Sequence, residues 1–214
     1  MMGDEGGRLR RWLRQVSRTM TLRQVLAALA AVVVLASGLF GGLATAETTG
    51  PAALEPGEEI HAEPFDLTVD RVRWSTDLGL DEEVRGRYLA VVATLENTSD
   101  HPVYTGTLRD TIRLRGLDGL YSGLSGDETG ASEDARPQVL VMTDGSPLSA
   151  AAPGLEYEVA FVWEQTESEP LPAEATVEVS QWTWRRSTLD DQFMWFDPTP
   201  THEGTFDVER GRES

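Results

Sequence analysis

LEYEVAFVWE, residues 155–164, alternates with period two. Leu155, Tyr157, Val159, Phe161 and Trp163 fall on one side, and Glu156, Glu158 and Glu164 fall on the other. That is the spacing of a strand with one face in a core and the other in water. Pro153-Gly154 supplies the turn that leads into it.

Working outward, the same rhythm recurs on both sides. Upstream, residues 88–95 (YLAVVATL) are apolar on both faces, as in a central strand that is covered twice. Phe65, Leu67 and Val69 alternate, and the pattern resumes out of phase at Val72 and Trp74, which predicts a β-bulge near Asp70. Ile112 and Leu114 alternate with Arg113 and Arg115, and Asp118-Gly119 between Leu117 and Leu120 is a hairpin signal. Residues 139–142 give a further short strand. Downstream, Ala175, Val177 and Val179 repeat the pattern, Trp182 and Trp184 continue it out of phase, and residues 193–196 (FMWF) close the series. No helical pattern and no internal repeat follow residue 46. Short strands separated by turn signals, each with an apolar face to bury, predict an all-β fold: an antiparallel immunoglobulin-like β-sandwich.

Several of these segments resemble one known family. Gly86-Arg87-Tyr88-Leu89-Ala90-Val91-Val92, the turn Asn97-Thr98-Ser99, the stretch Leu117-Asp118-Gly119-Leu120-Tyr121 and Pro153-Gly154 with Phe161 are similar to the telokin-like immunoglobulin domains of bacterial exported proteins. The resemblance covers roughly residues 58–196 and rests on turns and core positions. It implies a sandwich in a secreted, lipid-anchored or membrane-anchored protein of unknown role, with no catalytic residues to carry over. The chain departs from the family in lacking a lipid-attachment cysteine and in having a longer acidic loop and a tryptophan-rich end.

Residues 25–46 (VLAALAAVVVLASGLFGGLATA) carry no charge. About 20 apolar residues cross a hydrocarbon core, so the run is expected to be a transmembrane helix in contact with the lipid bilayer. Arg8, Arg10, Arg11, Arg14, Arg18 and Arg23 precede it and the next arginine is Arg71, which puts the N-terminus in the cytoplasm and the C-terminal domain outside the cell. The rival reading is an export signal cleaved after Ala46, because Ala44-Thr45-Ala46 has the small-x-small pattern and Glu47 would start the mature chain. In residues 1–24, Leu9, Trp12, Leu13, Val16 and Met20 share one helical face opposite the arginines, giving a basic amphipathic head. The expected organisation is this head, the apolar run, a Pro/Gly/Glu spacer at 47–59, the sandwich at 60–197 and a polar tail at 198–214, either an edge strand or disordered.

Charge divides the chain the same way. Beyond the head, 12 arginines face 34 acidic residues, a balance of −22. Such a surface repels phosphate backbones, so nucleic acid is excluded as a partner, while cations or a basic protein are attracted. Cysteine is absent, so there are no disulfides and no thiol nucleophile.

No catalytic constellation emerges. His61, His101 and His202 are far apart and lack metal-ligand spacing, so they are expected to be solvated loop residues. Asp81-Glu82-Glu83, Asp127-Glu128, Glu133-Asp134 and Asp190-Asp191 offer hard oxygen ligands but no calcium-loop spacing. Trp182, Trp184 and Trp195 offer broad flat faces for a sugar or a partner side chain, against the simpler reading of core packing. The sequence therefore predicts no catalytic, cofactor or metal site and no enzyme. It predicts instead a single-pass membrane protein whose outer domain binds a protein partner; the alternative is a secreted protein that binds a cation or small ligand.

Overall fold

The computed structural model describes residues 50–78, 86–121 and 135–211. The basic head and the apolar run at 25–46 lie outside the described residues. Among those described, no helix is long and apolar enough to cross a membrane.

The strands are β1 (Ala52–Ala53), β2 (Glu59–Ala62), β3 (Phe65–Ser75), β4 (Gly86–Asn97), β5 (Val103–Tyr104), β6 (Ile112–Arg115), β7 (Leu120–Tyr121), β8 (Gln138–Val141), β9 (Ala150–Ala151), β10 (Glu156–Thr166), β11 (Glu174–Arg186) and β12 (Phe193–Arg210). One layer carries β6, β11, β12 and β1, and the other carries β2, β3, β4, β10, β7 and β8. β12 joins them: it pairs antiparallel with β11 up to Asp207, then turns parallel to β3 from Val208 to Arg210. The fold is a β-sandwich.

Inward-facing residues of both layers form one core, including Phe65, Leu67 and Val91 from one side and Val177, Val179 and Phe206 from the other. Val159, Phe161 and Trp163 are fully buried at its centre. The alternation around 155–164 therefore identifies its core face correctly, except that Leu155, at the mouth of the strand, is 52% exposed. The out-of-phase steps are also real. The β3–β4 register shifts between Val69 and Arg71, and the β11–β12 register shifts on either side of Ser180, which turns Trp182 inward. An extra residue in one strand changes which face every later side chain meets.

Four expectations need correction. The spacer ends earlier than residue 59: β1 pairs with His202 and Glu203, Leu54 is buried, and its N–H donates to the Glu203 carbonyl at 2.9 Å. Gly204 makes this possible, because a Cβ there would sit 2.0 Å from the Leu54 carbonyl oxygen. The residues from 198 are not a tail outside the sandwich: of the two readings, strand and disorder, the structure gives strand, the body of β12, which has β11 on one side up to Asp207, β1 on the other at His202 and Glu203, and β3 beside Val208–Arg210. Pro198 and Pro200 disguise it, yet the far side of β12 has no described partner before His202, so missing donors are tolerated there. A helix does occur, α1 (Thr105–Thr111), whose buried residues are Leu108 and Thr111. One apolar residue in TGTLRDT leaves no helical period to read. Finally, Asp118-Gly119 does not make a hairpin, since β6 pairs with β11 and β7 pairs with β10. Gly119, at φ 69, instead carries the chain from one layer to the other.

Candidate apolar groove on the outer face of the sheet

β4 and β10 run antiparallel with Val92 opposite Ala160 and Ala90 opposite Val162. β8 places Leu140 opposite Ala160, and β3 places Arg73 opposite Ala90. Opposed residues in a ladder share a face, so these side chains form one surface on the side of the sheet away from the core. An outer face is ordinarily wet. Here Tyr88, Ala90, Leu140, Ala160 and Val162 make a second apolar cluster, all of them buried, and Leu78 packs against it.

This corrects the reading of β10 as wet on one side. Glu156 and Glu158 are exposed, but Ala160, Val162 and Glu164 are buried. The signal was present: the glutamate rhythm lapses at Ala160 and Val162, beside a strand already apolar on both faces.

Two alanines between larger neighbours leave a depression. It forms a groove of about 560 Å³, walled on one side by residues 73–78 and on the other by 142–145, within the range of ligand sites. On the first wall, Arg73 Nε lies 3.7 Å from a Glu209 carboxylate oxygen and the Arg210 guanidinium stands 5.3 Å from the centre of the Trp74 ring. On the second, Asp144 accepts from the Ser146 N–H at 3.0 Å and its hydroxyl at 2.7 Å, which holds its carboxyl below the usual carboxylate range.

The three histidines do not converge. His61 and His202 lie on β2 and β12 rather than in loops, and only His101 is a loop residue. His101 stacks on Trp184 with ring centroids 4.4 Å apart, and His202 hydrogen-bonds the Thr201 hydroxyl at 3.1 Å. His61 stands between two carboxylates, Nδ1 at 2.7 Å from Asp66 and Nε2 at 3.5 Å from Glu63. The Asp66 hydrogen bond leads in raising its pKa above 6.5, with the charges of Asp66 and Glu63 adding to it.

A raised folded-state value stabilises the fold below the unfolded pKa and stops doing so as pH climbs through the folded one. His61→Gln is therefore expected to lower the urea midpoint slightly at pH 5.5 and to leave it unchanged at pH 8.5. The effect stays small because the imidazole is 63% exposed.

Among the described residues no three His, Cys, Asp or Glu side chains are grouped to hold a metal ion. The clusters at 81–83, 127–128 and 133–134 lie outside the described residues. Asp190 and Asp191 serve the β11–β12 turn, where Asp190 accepts from the Gln192 N–H and Asp191 lies 3.8 Å from Arg186.

The tryptophans are packed rather than presented. Trp182 donates to the Thr111 hydroxyl at 3.1 Å inside the core. Trp184 stacks between His101 and Phe193 and tilts against Trp195 at 5.0 Å, and Trp195 itself is only 8% exposed. Their faces are occupied by their own chain. Asn97, which begins the Asn-Thr-Ser turn, is equally committed: its side-chain amide donates to the His101 and Ala151 carbonyls at 2.8 and 2.9 Å, and the residue is fully buried.

No protein-family model and no curated protein sequence match the chain. Among solved structures, an uncharacterized β-sandwich protein from Clostridium difficile 630 is similar to it at 14% identity with a TM-score of 0.42, covering 76% of this chain and 97% of that one.

Proposed function

We propose that this sandwich is a non-catalytic, immunoglobulin-like binding module, held outside the cytoplasm by the apolar run at 25–46, and that its groove receives a protein partner. One observation carries the reading. A sheet face that could have been polar throughout is apolar at Tyr88, Ala90, Val92, Ala160 and Val162, and it is left with an open depression. A concave, largely apolar site with polar walls is the usual form of a binding pocket, and whatever apolar surface its floor still shows to water gains roughly 25 cal/mol for each Å² that a partner covers. The charge-free run behind six arginines supports the anchor and the topology.

The test uses intact cells. A photo-crosslinking side chain at Thr143, exposed on the groove wall, is expected to yield a discrete adduct with another protein, and the same side chain at Gln181, exposed on β11, is expected to yield none. Protease added to those cells should digest the sandwich. Equal adducts from both positions, or a sandwich protected until the cells are opened, would overturn the reading.

A further inference from the structure

We propose that the turn joining β11 to β12 is a lipid-contacting tip, which dips into the surface of the bilayer that the apolar run at 25–46 enters. This rests on that run being an anchor and is independent of the groove.

The two strands outrun their neighbours in the sheet. β6 leaves β11 at Val179 and β1 meets β12 only at His202, so between those points β11 and β12 pair, strand to strand, only with each other. Ring stacking stiffens this ribbon, with Trp184 between His101 and Phe193 and Trp195 tilted against it. The turn is closed by the Ser187 N–H, which donates to the Gln192 carbonyl at 2.7 Å, and the Leu189 N–H donates to the Ser187 hydroxyl at 3.2 Å. Leu189 is thereby held at the apex, 96% exposed.

Apolar side chains surround the tip. Phe193 stands opposite Arg186 and Met194 opposite Arg185, so Phe193 and Met194 lie on opposite faces of the ribbon, and both are about half exposed. A protein docked on one face would leave the other in water, whereas a lipid interface receives a tip from all sides. Arg185 and Arg186 are answered within the ribbon, by Asp197 at 2.7 Å and Asp191 at 3.8 Å, so the tip calls for no anionic head group. Burial of Leu189, Phe193 and Met194 drives the contact, and the arginine stems lie along the interface with their charged ends in water.

Direction and reach select the bilayer as the occupant. β1 is parallel to β12, so the chain before Ala52 arrives from the side toward which the ribbon points. Six residues lead from Ala46 to Ala52, a span of at most about 22 Å. Arg186 lies seven residues along β11 from Val179, the partner of His202, which is about 23 Å at the usual strand rise before the turn is added. A tether no longer than the ribbon brings the tip down to the surface from which the chain emerges.

The experiment uses the full chain in zwitterionic nanodiscs. The chain has no cysteine, so Thr188→Cys carries an environment-sensitive fluorophore at the tip, and Glu167→Cys carries it in the loop before β11, at the other end of that strand; both positions are exposed. Nitroxide in the lipid chains, at the depth of about 5–10 Å that interfacial apolar groups reach, is expected to quench the tip label at least twofold and to leave the Glu167 label unchanged. Leu189→Ser with Met194→Ser, both exposed and outside the core, should abolish the quenching with the far-UV circular dichroism unchanged. Anionic lipid should weaken it, because the balance of −22 beyond the head is repelled by a negative surface.

A chain that co-purifies with the discs but leaves the tip label unquenched overturns the tip and keeps the anchor. A tip label shielded from aqueous iodide yet untouched by lipid nitroxide overturns it in favour of a protein or a second copy of the chain. Quenching that survives the double substitution, or that anionic lipid strengthens, overturns apolar insertion. A chain that does not associate with the discs overturns the anchor and the tip together.

Discussion

Replacing Trp163 by alanine is expected to destabilise the sandwich by about 3–5 kcal/mol, the range for truncating a large buried aromatic. Trp163 is fully buried among the residues that both layers contribute to the core, and its indole N–H donates to the Ala135 carbonyl at 3.2 Å. Truncation leaves a cavity and removes that donor from the Ala135 carbonyl. Against a typical domain stability of about 5–15 kcal/mol, this is a large fraction. Urea denaturation of the two proteins, compared at equal m-value, checks it. Trp163→Phe keeps most of the volume and should cost less than half as much. A midpoint for the alanine variant within error of the parent would mean that Trp163 does not organise the core.

The second large effect is expected at Asn97. Its amide nitrogen bonds two carbonyls, those of His101 and Ala151, while its oxygen accepts from the Ser99 N–H at 3.1 Å and the Ser99 hydroxyl at 2.7 Å. The end of β4, the loop into β5 and strand β9 are thereby tied together at one buried point, with the Gly154 N–H closing onto the Asn97 carbonyl at 2.7 Å. Alanine removes every side-chain bond at once and strands two carbonyls, each costing roughly 1–3 kcal/mol. A loss of about 3 kcal/mol is expected, with hydrogen exchange rising first at residues 97–104 and 149–155. Asn97→Asp is the sharper control, because it offers acceptors where both partners are acceptors, and it should be at least as damaging as alanine. If Asn97→Asp is tolerated, the amide is not the tie that the geometry makes it.

Asn97 also shows where local reading stops. As part of Asn-Thr-Ser it reads as a polar turn at the end of a strand, and the turn is there. That its amide is buried and bonded across 54 residues to Ala151 follows only from how β9 is folded back. The same holds for the groove. Ala90 and Val92 stand out as an apolar second face, and Ala160 and Val162 interrupt the glutamates of β10, so each half was visible. Their union depended on the Val92–Ala160 register, which no single strand encodes.

The segments missed share a cause. β1, α1 and the second half of β12 contain too few apolar residues, or too many prolines, for period to register. Their conformation is held by partners: Leu54 by Glu203, α1 through Thr111 by Trp182, and β12 by β11. Such tertiary pairing overrides weak local preference.

Alternation within a strand is a local property, because successive side chains leave a pleated backbone on opposite sides. The amino-acid order alone therefore determined that the described residues form a body dominated by strands, which side chains of its alternating segments face the core, and that the faces reverse near Asp70 and again before Trp182. It determined as well the separation of a basic head from an acidic remainder by an uncharged run. Which strands lie beside one another is settled by contacts between residues distant in the chain. Tertiary structure alone thus decided that β12 bridges both layers, that the tryptophans pack against their own chain, and that two alanines open a groove on the outer face.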